Sequence, residues 1–269
     1  MGYVNAMVFF IDILGSQSME DFETLFDVNI TFHSELEKNQ GYDKPHTVYE
    51  RKVYTFSDCA YIIYNFKDGI EEHRKDLRRL FDIALRNTEN LIIQFLKKDF
   101  LCRGGVSYGE LYYEKDRSLF FGPAINKVYR YESKEAVYPR IIIDDYIADN
   151  VITLNQEWID NEPDPLKKHF MQEINGNIVK KDKDGKYFLH YLNCFELGVN
   201  YIEMQSMYEN LQELIIQEIG KQQENIKNNP KDRDKYERVI AKYDWFKEYL
   251  DNSFPNRNSA SVILPYIIK

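Results

Sequence analysis

The chain predicts an α+β sandwich followed by a helical extension. Three observations carry this. Short β-branched and aromatic runs alternate with longer stretches of helical period over the first 196 residues. Gly and Asp punctuate the joins between them. From 197 onward the pattern is helical alone, so the domain boundaries are set at 1–196 and 197–269.

The elements follow in order. Val4 to Leu14, V-N-A-M-V-F-F-I-D-I-L, is a buried strand with one acid near its end. Gly15-Ser16-Gln17-Ser18 ends it. Ser18 with Glu20, Asp21 and Glu23 resembles a helix N-terminus, and Phe22, Leu25, Phe26 and Ile30 then recur at helical spacing. Glu37 to Thr47 is polar and reads as a loop. Val48 to Phe56 and Ala60 to Tyr64 form a strand pair around Ser57-Asp58. A helix is expected from Asp68 to Lys97, with Leu77, Leu80, Phe81, Ala84, Leu91, Ile92 and Phe95 as its apolar stripe. Phe100 to Tyr108 is a strand containing two glycines, which Leu111 to Tyr113 continues. Gly122-Pro123 opens a helix toward Glu132. Ile141 to Ile143 and Tyr187 to Leu192 are short strands, the second preceded by the polar turn 181–186. Two helices, 201–227 and 231–250, are parted by Asn228-Asn229-Pro230.

Composition narrows the function. With 43% hydrophobic and 15% aromatic residues the chain can bury a sizeable core. A net charge of −9 argues against a nucleic-acid coat or a polybasic membrane face. Cys59, Cys102 and Cys194 are far apart in sequence, with no CxxC and no zinc spacing. A reducing cytoplasm is the expected location, because disulfides and a cleavable leader are not expected. The histidines are scattered, and no Walker A loop or nucleophile elbow occurs.

Two acids stand out. Asp12 ends a very apolar strand, and Asp58 sits at the tip of a strand pair. Either alone is more simply a turn-capping residue. Two carboxylates on adjacent strand ends, however, suit two divalent cations that grip a triphosphate. Asn126 and Arg130, four apart, share one helix face.

Together these motifs resemble the class III nucleotidyl cyclases. Phe9-Phe10-Ile11-Asp12-Ile13-Leu14-Gly15 looks like the family's first metal motif, and Phe56-Ser57-Asp58 like the second. Arg103-Gly104-Gly105-Val106-Ser107-Tyr108-Gly109 resembles its glycine-bearing strand. Gly122 to Arg130 resembles its G-x-x-x-N-x-x-x-R helix. The resemblance spans about residues 3 to 195 and implies a ferredoxin-like βαββαβ core. It implies two Mn²⁺ or Mg²⁺ ions per site on Asp12, Asp58 and the Ile13 carbonyl. Asn126 would orient the ribose, and Arg130 would neutralise charge developing on phosphate. It also implies a head-to-tail homodimer whose two sites each draw the acids from one subunit and the Asn/Arg helix from the other.

At the family's two base-selecting positions stand Tyr54 and Leu119, neither of which makes the usual adenine contacts. Within the family the wording F-x-D-x-L-G, F-S-D, R-G-G and G-P-A-x-N, with Glu132 and Tyr138-Pro139-Arg140 following, resembles the pyrimidine cyclases of the Pycsar antiphage system. That resemblance implies conversion of UTP to cyclic UMP, which then activates a separate effector protein. Alternatives are CTP, a purine nucleotide, and an inactive nucleotide-binding module. Tyr54 is expected to fill space beside a small base and to bond its edge. Arg103 is a candidate for a base carbonyl or a phosphate, and equally for an ion pair at a strand end. Backbone N–H groups around Gly15 and Ser16 are expected to cradle phosphates. One of Lys180, Lys181, Lys183 and Lys186, with Lys183 foremost, is expected at the triphosphate.

Overall fold

A computed structural model of the chain describes residues 2–15, 21–40, 47–114, 117–174, 178–193 and 201–254. These divide into two compact units. One comprises residues 1–95 and 100–191, the other 96–99 and 192–269.

The first unit is built on one mixed sheet of eight strands. They are β1 (Val4–Ile13), β2 (Tyr49–Phe56), β3 (Cys59–Phe66), β4 (Cys102–Tyr113), β5 (Phe120–Phe121), β6 (Ile141–Ile143), β7 (Val179–Lys181) and β8 (Tyr187–Leu189). The order is β2-β3-β1-β4-β6-β8-β7, with β5 hairpinned onto β4. Helices α1 (Phe22–Gln40) and α2 (Leu77–Leu96) make the crossovers from β1 to β2 and from β3 to β4. Strands β1 to β4 therefore form a β-α-β-β-α-β core of ferredoxin-like order, antiparallel throughout. The fold is α+β, as the alternation of periods predicts. Five more helices are named here: α3 (Pro123–Arg130), α4 (Asp145–Asn161) and α5 (Pro165–Ile174) in the first unit, and α6 (Tyr201–Asn228) and α7 (Arg233–Ser253) in the second.

Strand β1 is central because it is apolar on both faces. Met7, Phe9, Ile11 and Ile13 are all but fully buried on one side, and Ala6, Val8 and Phe10 are buried on the other. The second face packs under Ala124, Ile125 and Val128 of α3, with Ile63 and Leu111. Asp12 belongs to that face by alternation, pairing with Cys59 on β3 and Arg103 on β4.

The glycines of β4 answer a packing need. A Cβ on Gly104 would lie 2.0 Å from the Phe10 carbonyl oxygen, and one on Gly105 would lie 2.4 Å from the Tyr131 Cβ. The chain crosses these points at distances only glycine allows.

Two boundaries and two whole helices differ from expectation. Helix α2 starts at Leu77, not near Asp68, because Gly69 takes a φ of 76° and Asp76 accepts from the backbone of Arg78 and Arg79 as an N-terminal cap. Helix α1 runs on to Gln40, into the stretch expected as loop. Helices α4 and α5 were not expected; α4 begins where the Asp144 side chain accepts from Tyr146 N–H. The turn expected at 181–186 does form, held by Arg140, which is buried and ion-paired to Asp182 and Asp184.

In the second unit α6 and α7 (Arg233–Ser253) form an antiparallel pair. Asp251 of α7 accepts from the Tyr208 hydroxyl at 2.9 Å and pairs with Lys247. Met204, Met207, Leu211 and Ile215 are buried on α6, and Phe246, Tyr249 and Leu250 on α7. Among the described residues no helix is long and apolar enough to cross a membrane.

Candidate active site

The site forms where β1 ends. Strand β2 turns into β3 through Ser57-Asp58, and Phe56 pairs with Cys59 across the turn. Ser57 holds a φ of 56°, the left-handed region that costs a non-glycine residue about 1 kcal/mol or more. Two bonds stabilise it. The side-chain amide of Asn29 on α1 donates to the Ser57 carbonyl at 2.7 Å, and Ile13 N–H donates to the Asp58 carbonyl at 3.3 Å. The turn carrying Asp58 is thereby fixed to the strand end carrying Asp12.

Asp12 senses the charge of Asp58. Burial raises the Asp12 pKa above the usual carboxylate value. Arg103 opposes that shift, and the charge of Asp58 adds to it. Glu132, in the π-helical turn Tyr131–Glu135 that follows α3, completes the cluster. Arg103 bridges the set, with Nε 3.1 Å from Asp12 Oδ2 and Nη2 2.5 Å from Glu132 Oε1. The Glu132 side chain is only 6% exposed. Its pKa is raised by burial first, lowered by Arg103, and raised again by Asp12 and Asp58. Of the two readings the sequence left open for Arg103, the structure shows the ion pair.

Asp12 and Glu132 share one guanidinium, and the charge of Asp58 adds to theirs, so the cluster carries a surplus of negative charge, the electrostatic condition for a divalent cation. Among the described residues no group of three or more His, Cys, Asp and Glu side chains is already arranged to hold a metal ion. Asp12 and Asp58 nevertheless fit Mg²⁺ or Mn²⁺ in the manner of nucleotide sites, where one or two carboxylates act with the substrate's own phosphates.

The two expected base-contacting positions meet at one residue. The Tyr54 hydroxyl donates to the Glu114 carbonyl at 2.6 Å, and Glu114 N–H donates to the Leu119 carbonyl at 2.9 Å. Tyr54 has thus committed its proton to the backbone, leaving only lone pairs for a ligand, and burial pushes its pKa up to about 12. Aromatic rings continue from it. Tyr54 and Phe120 lie 4.6 Å apart, Phe120 and Tyr61 4.9 Å, and Tyr61 stacks on Phe10 at 4.4 Å. This wall lies on the same face of the sheet as Asp12. Leu119 is exposed at its margin.

The Asn/Arg pair faces solvent. Helix α3 turns Ala124, Ile125 and Val128 inward, which leaves Asn126 and Arg130 exposed on its other side. Arg130 Nε lies 3.8 Å from Glu135, and its side chain is 56% exposed. Lys183 lies on the exposed β7–β8 turn, its backbone N–H donating to Asp182. Gly15 has a φ of 83° just after β1. Ser16 and Cys194 fall outside the described residues.

Sequence reasoning missed three contributors. Asn29 gave no signal, since an Asn on a helix reads as surface. Glu114 acts through its backbone, which has no sequence signature. Glu132 was noticed only as part of a phrase; its spacing from Arg130 hides that a π-turn aims it at Arg103.

No protein-family model matches the chain, and no curated protein matches its sequence. Among solved structures it is similar to the monomeric guanylyl cyclase domain of the RhoGC fusion protein from the aquatic fungus Blastocladiella emersonii. The identity is 16%, covering 70% of this chain and 96% of that one, with a TM-score of 0.42. It is similar also to the guanylyl cyclase Cya2, at 15% identity over 71% and 94% of the two chains, with a TM-score of 0.39. A bacterial light-regulated adenylyl cyclase is similar over 55% of this chain and 45% of its own, at 16% identity and a TM-score of 0.39. Likenesses of this size do not define a family.

Proposed function

We propose that the chain is a nucleotidyl cyclase that converts UTP to 3′,5′-cyclic UMP and pyrophosphate. The observation that carries this reading is the convergence of Asp12 and Asp58 at one sheet end, coupled by charge and tied by the Ile13–Asp58 backbone bond.

Asp12 and Asp58 would hold the divalent cations. When bound, such cations supply Lewis-acid stabilisation of a ribose alkoxide and of the triphosphate charge. The ribose 3′-oxygen attacks the α-phosphorus in line. A new P–O bond forms as the bond to the bridging oxygen breaks. Pyrophosphate leaves with its electron pair, and the hydroxyl proton passes to water. Asn126 would orient the ribose, and Arg130 would stabilise charge on the reacting phosphate, each worth a few kcal/mol. Both are exposed on α3, and in the composite site that the motif resemblance implies a second copy would supply them. Exposure of the Lys183 turn is compatible with a contact to the triphosphate.

Preference for a pyrimidine is supported by the aromatic wall. A base held against Tyr54, Phe120 and Tyr61 would meet packed rings, which favours the smaller, one-ring bases. CTP is the nearest alternative substrate, since Tyr54 retains only acceptor capacity and uracil and cytosine differ at N3 and position 4. A role in antiphage signalling through a separate effector rests on the motif resemblance alone.

The test is incubation with ATP, GTP, CTP and UTP separately in Mn²⁺, with products identified by mass spectrometry. Cyclic UMP as the main product is expected. A cyclic purine nucleotide would keep the reaction and refute the base assignment. Absence of any cyclic product would refute the enzyme.

A further inference from the structure

Arg103 stands where an arriving cation must act. Its Nε lies 3.1 Å from Asp12 Oδ2, so the protein's own guanidinium already occupies one side of the carboxylate assigned to a metal. The same guanidinium reaches Glu132 through a different nitrogen, Nη2, at 2.5 Å. Asp12 and Glu132 thus hold one Arg by separate edges of its planar fork.

The surroundings fix this arrangement. Tyr131 sits on Gly105, which forces close approach of the turn carrying Glu132 to the strand carrying Arg103. Glu132 is 94% buried with Arg103 as its ion-pair partner, and a charge so buried is retained only when paired. Arg103 is more exposed, at 28%, and its long side chain reaches solvent where Glu132 does not.

We propose that Glu132 is a positioning residue for cation exchange. It holds Arg103 so that the guanidinium can release Asp12 when a divalent cation binds, without leaving a positive charge unpaired. This deepens the cyclase reading and rests on Asp12 and Asp58 being its metal ligands. Without Glu132, Arg103 would have Asp12 as its sole carboxylate and would compete with the metal more strongly. With neither residue present, the competition would vanish.

The experiment is a double-mutant cycle on metal affinity. Mn²⁺ binding to the whole protein, without nucleotide, is measured by electron paramagnetic resonance of the free ion. The proteins are wild type, Glu132→Gln, Arg103→Gln and the double variant, with thermal melts alongside. Glu132→Gln is expected to weaken Mn²⁺ binding about tenfold, the usual effect of removing a group that supports a ligand. In the Arg103→Gln background the same change is expected to alter affinity less than about twofold.

Equal losses in both backgrounds would mean plain charge repulsion or direct ligation, and would overturn the proposal. Unchanged affinity in Glu132→Gln would overturn it too. If that variant does not fold, Arg103→Gln alone still decides, since an affinity equal to wild type excludes competition. Failure of the underlying reading looks different: Mn²⁺ binding that survives Asp12→Asn removes the metal site itself.

Discussion

Asn29 of α1 holds the carbonyl of Ser57 at 2.7 Å, and through it the turn that presents Asp58. A surface-type residue on a helix thereby governs the geometry of a carboxylate 29 positions away in sequence. Ser57 keeps its left-handed φ because this bond and the adjoining ladder over-determine it.

Asn29→Ala is therefore expected to cost about 1 kcal/mol of stability in urea denaturation. It should also weaken Mn²⁺ binding, because the Asp58 turn loses its anchor. A melt shift with no change in metal affinity would separate the anchor from the site.

Gly104→Ala places a methyl 2.0 Å from a backbone oxygen of the central strand, where nothing flexible can yield. The expected cost is about 3 kcal/mol or more, in the range of severe overpacking. Soluble protein with an unchanged urea midpoint would contradict the packing described for β1 and β4.

Glu89, buried on α2 beside Arg86 and Asp82, has its pKa pushed up to about 7, chiefly by burial. The folded state then binds its proton more tightly than the unfolded chain does. Stability contributed by the neutral form is fully present below the ordinary glutamate value of 4.5 and is lost as pH rises toward about 7. Glu89→Gln should flatten this decline, with a gain on the order of 3 kcal/mol at neutral pH relative to wild type. Urea midpoints at pH 5 and pH 8 check the sign. Parallel losses in both proteins would refute it.

Tyr54→Phe removes the hydroxyl that donates to the Glu114 carbonyl and keeps the ring against Phe120. The expected stability loss is about 1 kcal/mol. If the aromatic wall sets base size, UTP remains preferred over ATP and GTP. Purine turnover in this variant would assign selection to the hydroxyl.

Asp12→Ala and Arg130→Ala should each abolish cyclisation alone. Mixed in equal amounts, exchanging dimers would rebuild about a quarter of the sites, because only heterodimers regain one intact set. A mixture that stays inactive despite demonstrated subunit exchange would sink the composite site.

Much was legible in the sequence because some features are local. An unbroken β-branched and aromatic run located β1, since a strand buried on both faces must be apolar throughout. The helical stripes of α6 and α7 were readable for the same reason. Asp12 and Asp58 drew notice because a carboxylate in apolar surroundings is costly. By contrast α4 was not legible. Its start depends on Asp144, a cap whose side chain also pairs with Lys127 of α3. Helix α2 was read too long because its apolar stripe outweighed the capping by Asp76.

The sequence by itself determined the β-α-β-β-α-β order of the core, the apolar central strand and the helical character of the C-terminal stretch, and it singled out two acids and an Asn/Arg pair as candidates. These follow from propensity and periodicity, which act over a few residues. Only the tertiary structure decided that Arg103 bridges Asp12 and Glu132, that Asn29 steadies the Asp58 turn, and that Tyr54 is bound to Glu114. Each of those joins positions separated by 28 to 91 residues. Such contacts are set by which strands pair and how closely a glycine lets a turn approach. No local pattern encodes that, because the energy arises only when the sheet closes.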